Sequence, residues 1–539
     1  MRSVALSIAL LVSVAACVSI PTPTPLQSAV GPTATPSPST SLASTPPPPS
    51  KSAVPPPSPS ALTLPTASPP ERPTFGSVDD AYRQTVNWVA CSVGGVAGSC
   101  ATVYVPTVYE QPDAGTTAIA VARFHATGTA KGDLFTNPGG PGAAGIGFAS
   151  VLASVATALS ANFNIVGFDP RGTGQSDPLV CLDTPALDTL NAFDPTPETA
   201  QERQQGIDLV TAQGEACKQN SGLLAGHVTT IEAARDIDVL RAVLSDDKLN
   251  YFGFSYGTFF GTTYAALFPD KVDRFVLDGA LAPGLSTMQV AEVQTQGFET
   301  ELEAFIANCV KTQARCPLGQ TLSAGEKTLR DLLVSVDSTP LPTEYPARPL
   351  TQDLAFFGIV DAMYNPTSWP GLSDALGAAL GGNGQDLLSM SDAYFQRAGG
   401  SYVNNELQAN QDINCLDEEV RGGPTTMPES VFRADSPIAG DIMFGLADRG
   451  CGAWPLTTTL TPPNYRSPGT PPILVVGTTR DPATPLVWAQ QLARTLANGV
   501  LLTRDGDGHT AYLSGNTCIV DNVNAFLVDG TVPRSGTRC

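Results

Sequence analysis

The sequence predicts an α/β protein: a mostly parallel sheet flanked by helices, with a mainly helical cap inserted into it. Three observations carry that expectation. Between about residues 100 and 280, short β-branched runs alternate with helix-like stretches, the pattern of parallel strands joined by crossovers. Strand signals then stop from about 285 to 465, where segments such as TELEAFIANCV read as helix. They resume at PPILVVG (471–477) and GVLLTRD (499–505), so the middle block interrupts a sheet rather than following it.

Along the chain, residues 1–17 come first: one basic residue, an apolar run too short to span a bilayer, then small residues, which reads as an export signal. Its end, Val14-Ala15-Ala16-Cys17, resembles the lipobox of bacterial lipoproteins, in which the Cys becomes the lipidated first residue; the alternative is an ordinary signal peptide with an incidental Cys. Residues 18–75 form a linker rich in Pro, Ser and Thr, with 18 prolines between Pro21 and Pro73. Such a composition buries too little apolar surface to offset chain entropy and favours extended polyproline II. The first part of the sheet domain, 76–284, carries strands at AIAVARF (118–124), GDLFTNPGG (132–140), FNIVGFD (163–169), LNYFGFS (249–255) and RFVLDG (274–279). Thr229-x-x-Glu232 resembles a capping box, and Ala233, Ile237, Leu240 and Leu244 follow at helical spacing. The cap occupies 285–465, and 466–539 completes the sheet.

The chain has 539 residues and a formal charge of −21, and residues 1–75 hold only Arg2, Lys51, Glu71 and Arg72 as charges, so the acidity belongs to the folded body. A nucleic-acid partner is excluded on this balance, because phosphate neutralisation needs a basic face. Cys17 set aside, ten cysteines remain, with no C-x-x-C spacing, and an even set in an exported chain reads as disulfides. We expect sequence neighbours to pair, from Cys91 with Cys100 through Cys518 with Cys539, each couple bracketing one loop or short element.

Gly253-Phe254-Ser255-Tyr256-Gly257 lies between a strand and the small-residue helix GTFFGTTYAALF, the context of a nucleophile elbow. An activated serine needs a base that titrates near neutrality; of the three histidines, His125, His227 and His509, only His509 follows Ser255, as the Ser, acid, His order of this elbow type requires. Asp481, directly after PPILVVGTTR, stands where the orienting acid belongs. Its rivals Asp505 and Asp507 sit in the DGDG turn beside His509, which lacks the further ligands of a calcium loop. An oxyanion needs preset N–H donors. Tyr256 supplies one and Gly140, in Asn137-Pro138-Gly139-Gly140-Pro141-Gly142, the other. No metal or cofactor motif is present.

Together NPGGPG, DPRGTGQS, GFSYG, DPATP and GHTAYLSGNTC…VDGTVPRSGTRC resemble the secreted tripeptidyl-aminopeptidase branch of the α/β-hydrolases, common in actinobacteria and related to prolyl aminopeptidases. The resemblance spans residues 76–539. It implies a serine exopeptidase that acts on peptides with free N-termini through Ser255, Asp481 and His509, without a cofactor, its only tie to the membrane being a lipid at Cys17 on the outer face. Prolyl aminopeptidases carry His before GGPG, whereas this chain has Pro138, so a strict proline preference is not implied. Asp417 and Glu418, with Glu419 beside them, are candidates to hold the substrate amine, and DINCLD resembles a family motif there. The alternatives are a surface carboxylesterase or lipase with the same triad, and a binding protein on a non-catalytic scaffold. DPRGTGQS, with Asp169 and Arg171, reads as a structural turn.

Overall fold

The computed structural model describes residues 72–312, 316–421 and 423–539; the leader with Cys17, and the linker up to residue 71, lie outside them. Ten strands build one sheet: β1 (Val89–Val93), β2 (Val96–Pro106), β3 (Thr116–Phe124), β4 (Asp133–Asn137), β5 (Asn164–Phe168), β6 (Leu249–Phe254), β7 (Val272–Asp278), β8 (Ile473–Arg480), β9 (Gly499–Asp507) and β10 (Thr537–Arg538). Their spatial order is β1-β2-β3-β5-β4-β6-β7-β8-β9-β10. The first three pair antiparallel with one another and with β5, and from β5 onward every pairing is parallel.

All seven strands expected from sequence are present. The first hairpin was not among them, although Gly94-Gly95 between alternating residues is its signal: both glycines have positive φ, as a two-residue hairpin turn demands. β6, LNYFGF, is buried at every residue, the continuous apolar run of a central parallel strand covered on both faces. Successive side chains serve opposite layers. Tyr251, Phe275 and Val475 pack with the helices α3 (Thr230–Val243), α4 (Tyr256–Leu267) and α9 (Leu486–Thr495). Phe252, Val276 and Leu474 pack with α1 (Gly145–Val155) and α10 (Thr517–Asp529).

The interruption between β7 and β8 is helical, as expected. Its main helices are α5 (Thr287–Thr312), α6 (Gln352–Met363), α7 (Glu406–Arg421) and α8 (Gly440–Asp448); a separate apolar core includes Phe305, Leu329, Phe356 and Leu376, whereas Ala409, Ile413 and Leu416 of α7 pack into the core on one face of the sheet. A second excursion, between β5 and α3, joins this layer: α2 (Ala200–Ser221) lies in it, Thr196 donates to Gln352 at 2.8 Å, and Asp188 pairs with Arg397. Residues 73–539 form one compact unit, so the cap is a layer of the domain and not a body of its own.

The five disulfides join the expected neighbours: Cys91–Cys100, Cys181–Cys217, Cys309–Cys316, Cys415–Cys451 and Cys518–Cys539. Thr229 caps α3 by accepting from Glu232 N, but Glu232 does not close a capping box. Its carboxylate is taken by the Thr229 hydroxyl and by His227 Nδ1 at 2.6 Å. Arg171 is buried, bonded twice to Asp236 and to the carbonyls of Pro106, Thr107 and His227, while Asp169 accepts from Ile146 N and Gln175 N; both pin loops, as the sequence suggested.

Candidate active site

Ser255 sits between β6 and α4 with φ +55°, a left-handed conformation for a non-glycine residue that the surrounding turn must enforce. The two glycines of the motif are there because backbones meet: a Cβ on Gly253 would lie 2.4 Å from Gly257 O, and one on Gly257 would lie 2.5 Å from Asn137 O. The turn is held from below by Ser255 N, which donates to Asp278 O at 2.9 Å.

His509 follows β9 and Asp481 follows β8, adjacent parallel strands whose C-terminal ends bring the two loops together. Both side chains are fully buried, and His509 Nδ1 lies 2.8 Å from Asp481 Oδ1. An ionised carboxylate only accepts, so Nδ1 carries the proton and Nε2 keeps its lone pair. Asp481 also accepts from Ala483 N, Thr484 N, the Thr484 hydroxyl and Thr510 N. That many donors fix it in one orientation. Thr484 was not foreseen from sequence. Its hydroxyl donates to Asp481 Oδ2 at 3.0 Å and lies 3.2 Å from His509 Nδ1, so it bridges acid and base.

Asp278 was also missed. Its carbonyl anchors the serine turn, while its carboxylate accepts from Ala511 N and Tyr512 N in the loop after His509. One residue thus fixes the nucleophile turn and the histidine loop relative to each other. Burial pushes its carboxyl up to about 6.

His509 Nε2 is buried and has no hydrogen-bond partner among the described residues. Ser255 Oγ is not bonded to it; in catalytic sites without substrate such contacts are commonly long and tighten in the complex. Tyr364, packed edge-on against the imidazole with ring centroids 5.3 Å apart, and Thr484 line the same cavity as Ser255.

That cavity, about 290 Å³, also takes in Gly140, Pro141 and Tyr256. Tyr256 is the first residue of α4, so its N–H has no acceptor one turn back. The Asn137–Gly142 loop presses on the nucleophile turn: a Cβ on Gly139 would lie 2.8 Å from Tyr256 N and 2.9 Å from Ser255 Cβ. The loop that carries Gly140 and the first residue of α4 thus both border the cavity at Ser255. The far wall is apolar and comes from the cap, with Phe298, Phe356, Phe357 and Val360.

Asp417 does not line this cavity, which corrects its expected place at the substrate amine. It is 1% exposed and saturated by the protein's own donors: Thr230 N at 2.9 Å, the Thr230 hydroxyl, and Tyr256 OH at 3.1 Å. From the cap it caps α3 and holds Tyr256. Glu418 is likewise outside the lining. Beside the apolar wall, three polar cap residues reach the cavity and were unforeseen: Asn410 donates to Pro141 O at 3.0 Å, Asn414 to Asn410, and Arg421 to Asn414.

The family model described as "TAP-like protein" matches residues 436–539. The chain is 35% identical over 484 residues to the serine protease Hip1 of Mycobacterium tuberculosis, covering 85% of this chain and 91% of that one. It is 34% identical to carboxylesterase B of the same organism, over 82% and 86% of the two chains. Against the tripeptidyl aminopeptidase of Streptomyces coelicolor the identity is 30%, over 85% and 86%.

Proposed function

Since this chain belongs to the TAP-like family of α/β-hydrolases, represented by the serine protease Hip1 and the tripeptidyl aminopeptidases, we propose that it is a serine peptidase that removes short peptides from free N-termini. The observation that carries the chemistry is the buried Asp481–His509 pair, with its unpartnered Nε2, beside the strained Ser255 turn. Ser255 attacks a peptide carbonyl as His509 Nε2 takes its proton. Asp481 holds the imidazolium, and the Gly140 and Tyr256 amides stabilise the oxyanion. His509 then passes its proton to the leaving amine, and a water activated by the same nitrogen hydrolyses the acyl-enzyme.

The exopeptidase mode draws support from a second cavity of about 230 Å³ that shares Phe357, Asn410 and Leu446 with the first. Asp353 lines it, 1% exposed, with one oxygen 3.3 Å from Arg449 and the other unpartnered. A tripeptide spans about 10 Å when extended, a length suited to reach from one chamber into the next. An unpaired buried carboxylate oxygen there suits an α-ammonium. A second reading, carboxylester hydrolysis, is favoured by the largely apolar cleft without an acidic side chain.

A free-N-terminus tripeptide anilide, its N-acetylated analogue and a short acyl ester separate the two. We expect the free peptide to be preferred; equal turnover of the blocked peptide removes the exopeptidase mode. Export, with the chain tethered through a lipid on Cys17, belongs to the same proposal and rests on the leader sequence and the five disulfides. Palmitate incorporation into the full chain, lost in Cys17→Ala, checks the tether.

A further inference from the structure

Helix α7 turns one face to the catalytic cavity, and Asn410, Asn414 and Arg421 form a directed ladder along it. Asn410 Nδ2 donates to Pro141 O, Asn414 Nδ2 to Asn410 Oδ1, and Arg421 Nη2 to Asn414 Oδ1 and O. Arg421 at the end of the ladder is 8% exposed, and its guanidinium lies over the Phe259 ring. Its Nη1 donates to no group among the described residues, and Arg421 makes no ion pair there within 4.0 Å.

The neighbouring acid, Asp417, acts on the guanidinium through space, but its oxygens are given to Thr230 and Tyr256. No Asp or Glu lines the cavity into which Arg421 and Ser255 both open. A guanidinium taken out of water, anchored through Nε and Nη2, with Nη1 idle and the residue lining the cleft, is suited to an anion from outside, and its planar fork matches a carboxylate.

We propose that Arg421 is the carboxylate-binding subsite of this cleft, so that the favoured peptides carry a carboxylate near the scissile bond. This rests on the peptidase reading above. The carboxylate has two sources, an acidic side chain flanking the bond or the free C-terminus of a short substrate.

The test uses the full chain and peptides with a free N-terminus, in two arms. In the first, C-terminally amidated peptides carry Glu or the isostere Gln at each position around the bond. In the second, an all-neutral peptide ends in a carboxylate or an amide. The readout is the ratio of kcat/KM for each carboxylate substrate over its neutral isostere. In the wild type we expect about tenfold in one arm, the arm identifying the source; that is a difference of about 1.4 kcal/mol. The ratio falls toward one in Arg421→Gln and is partly kept in Arg421→Lys, which retains the charge and loses the fork. Ratios near one in both arms of an active wild type overturn the proposal, as does a ratio that survives intact in Arg421→Gln. If Arg421→Gln does not fold, the wild-type ratios and Arg421→Lys decide. Because every substrate has a free amine, failure of the exopeptidase mode shows separately, as undiminished turnover of N-acetylated copies of the same peptides.

Discussion

Asp481→Asn tests the relay at its most constrained point. Asp481 Oδ1 accepts from His509 Nδ1, Ala483 N and Thr484 N, while Oδ2 accepts from the Thr484 hydroxyl and Thr510 N. An asparagine satisfies the larger set by placing its oxygen at Oδ1, which preserves the histidine tautomer. Its NH₂ then faces Thr510 N–H, donor against donor, and the Thr484 hydroxyl must turn round. The buried unpaired donor costs about 1–3 kcal/mol of stability. The larger loss is electrostatic. Charge centres about 4 Å apart at an effective dielectric of about 20 attract by about 4 kcal/mol, and that attraction exists only when His509 is protonated in the transition state. Removing it slows acylation by about three orders of magnitude, one decade short of the roughly 10⁴-fold typical of such a change in serine triads. The assay is kcat/KM on the tripeptide anilide, normalised by phosphonate titration of folded sites, with urea unfolding alongside. A fall of less than about tenfold in a fully titratable, folded variant would refute the assignment of Asp481 and the argument built on it.

Further outcomes follow from the same geometry. Ser255→Ala abolishes phosphonate labelling and peptide turnover while leaving urea unfolding close to wild type. Gly139→Ala places a methyl group 2.8–2.9 Å from Phe254 O, Tyr256 N and Ser255 Cβ at a φ of +108°, so kcat collapses, read in the same anilide assay. Glu301, buried on α5 with neither oxygen bonded, is pushed up to about 9 by burial and by Asp507 and Asp481, against a smaller opposing pull from Arg480. A carboxyl raised in the folded state costs nothing below its unfolded value, and stability falls steadily as pH rises from that value to the folded one. At pH 7 the folded Glu301 is still protonated while the unfolded one is ionised, so Glu301→Gln raises the urea midpoint already at pH 7 and raises it further at pH 9.5. The same sign applies to Asp361, Glu406 and Asp412, each raised to about 7 mainly by burial, so wild type has a higher urea midpoint at pH 5 than at pH 8. Opening Cys415–Cys451 with paired serines frees α7 from its clamp. It costs about 2–4 kcal/mol of stability by urea unfolding, and kcat falls with it because α7 braces both Pro141 and Tyr256.

Short-range patterns along the chain already encode much of this protein. Buried strands announce themselves as apolar runs, so β3 to β9 were legible, and the scarcity of histidine left one residue in the right chain order to serve as base. Neighbouring cysteines closed short loops, so their pairing followed chain proximity. Contacts between segments far apart in the chain came only with packing. Asp417 reads as an acid free for a ligand until α3 and α4 bring Thr230 and Tyr256 against it and consume its oxygens. Asp278 looks like an ordinary strand end until β7 sets its carboxylate under Ala511 and Tyr512. Arg421 is one cation in an acidic helix until the cap turns it toward Ser255 and its neighbours take up the nearby charge. Local sequence fixes which groups a segment offers, because propensity and periodicity act within a few residues. Whether an offered group is spent inside the protein or left for a substrate depends on which distant donors burial brings to it, and no window of sequence contains that.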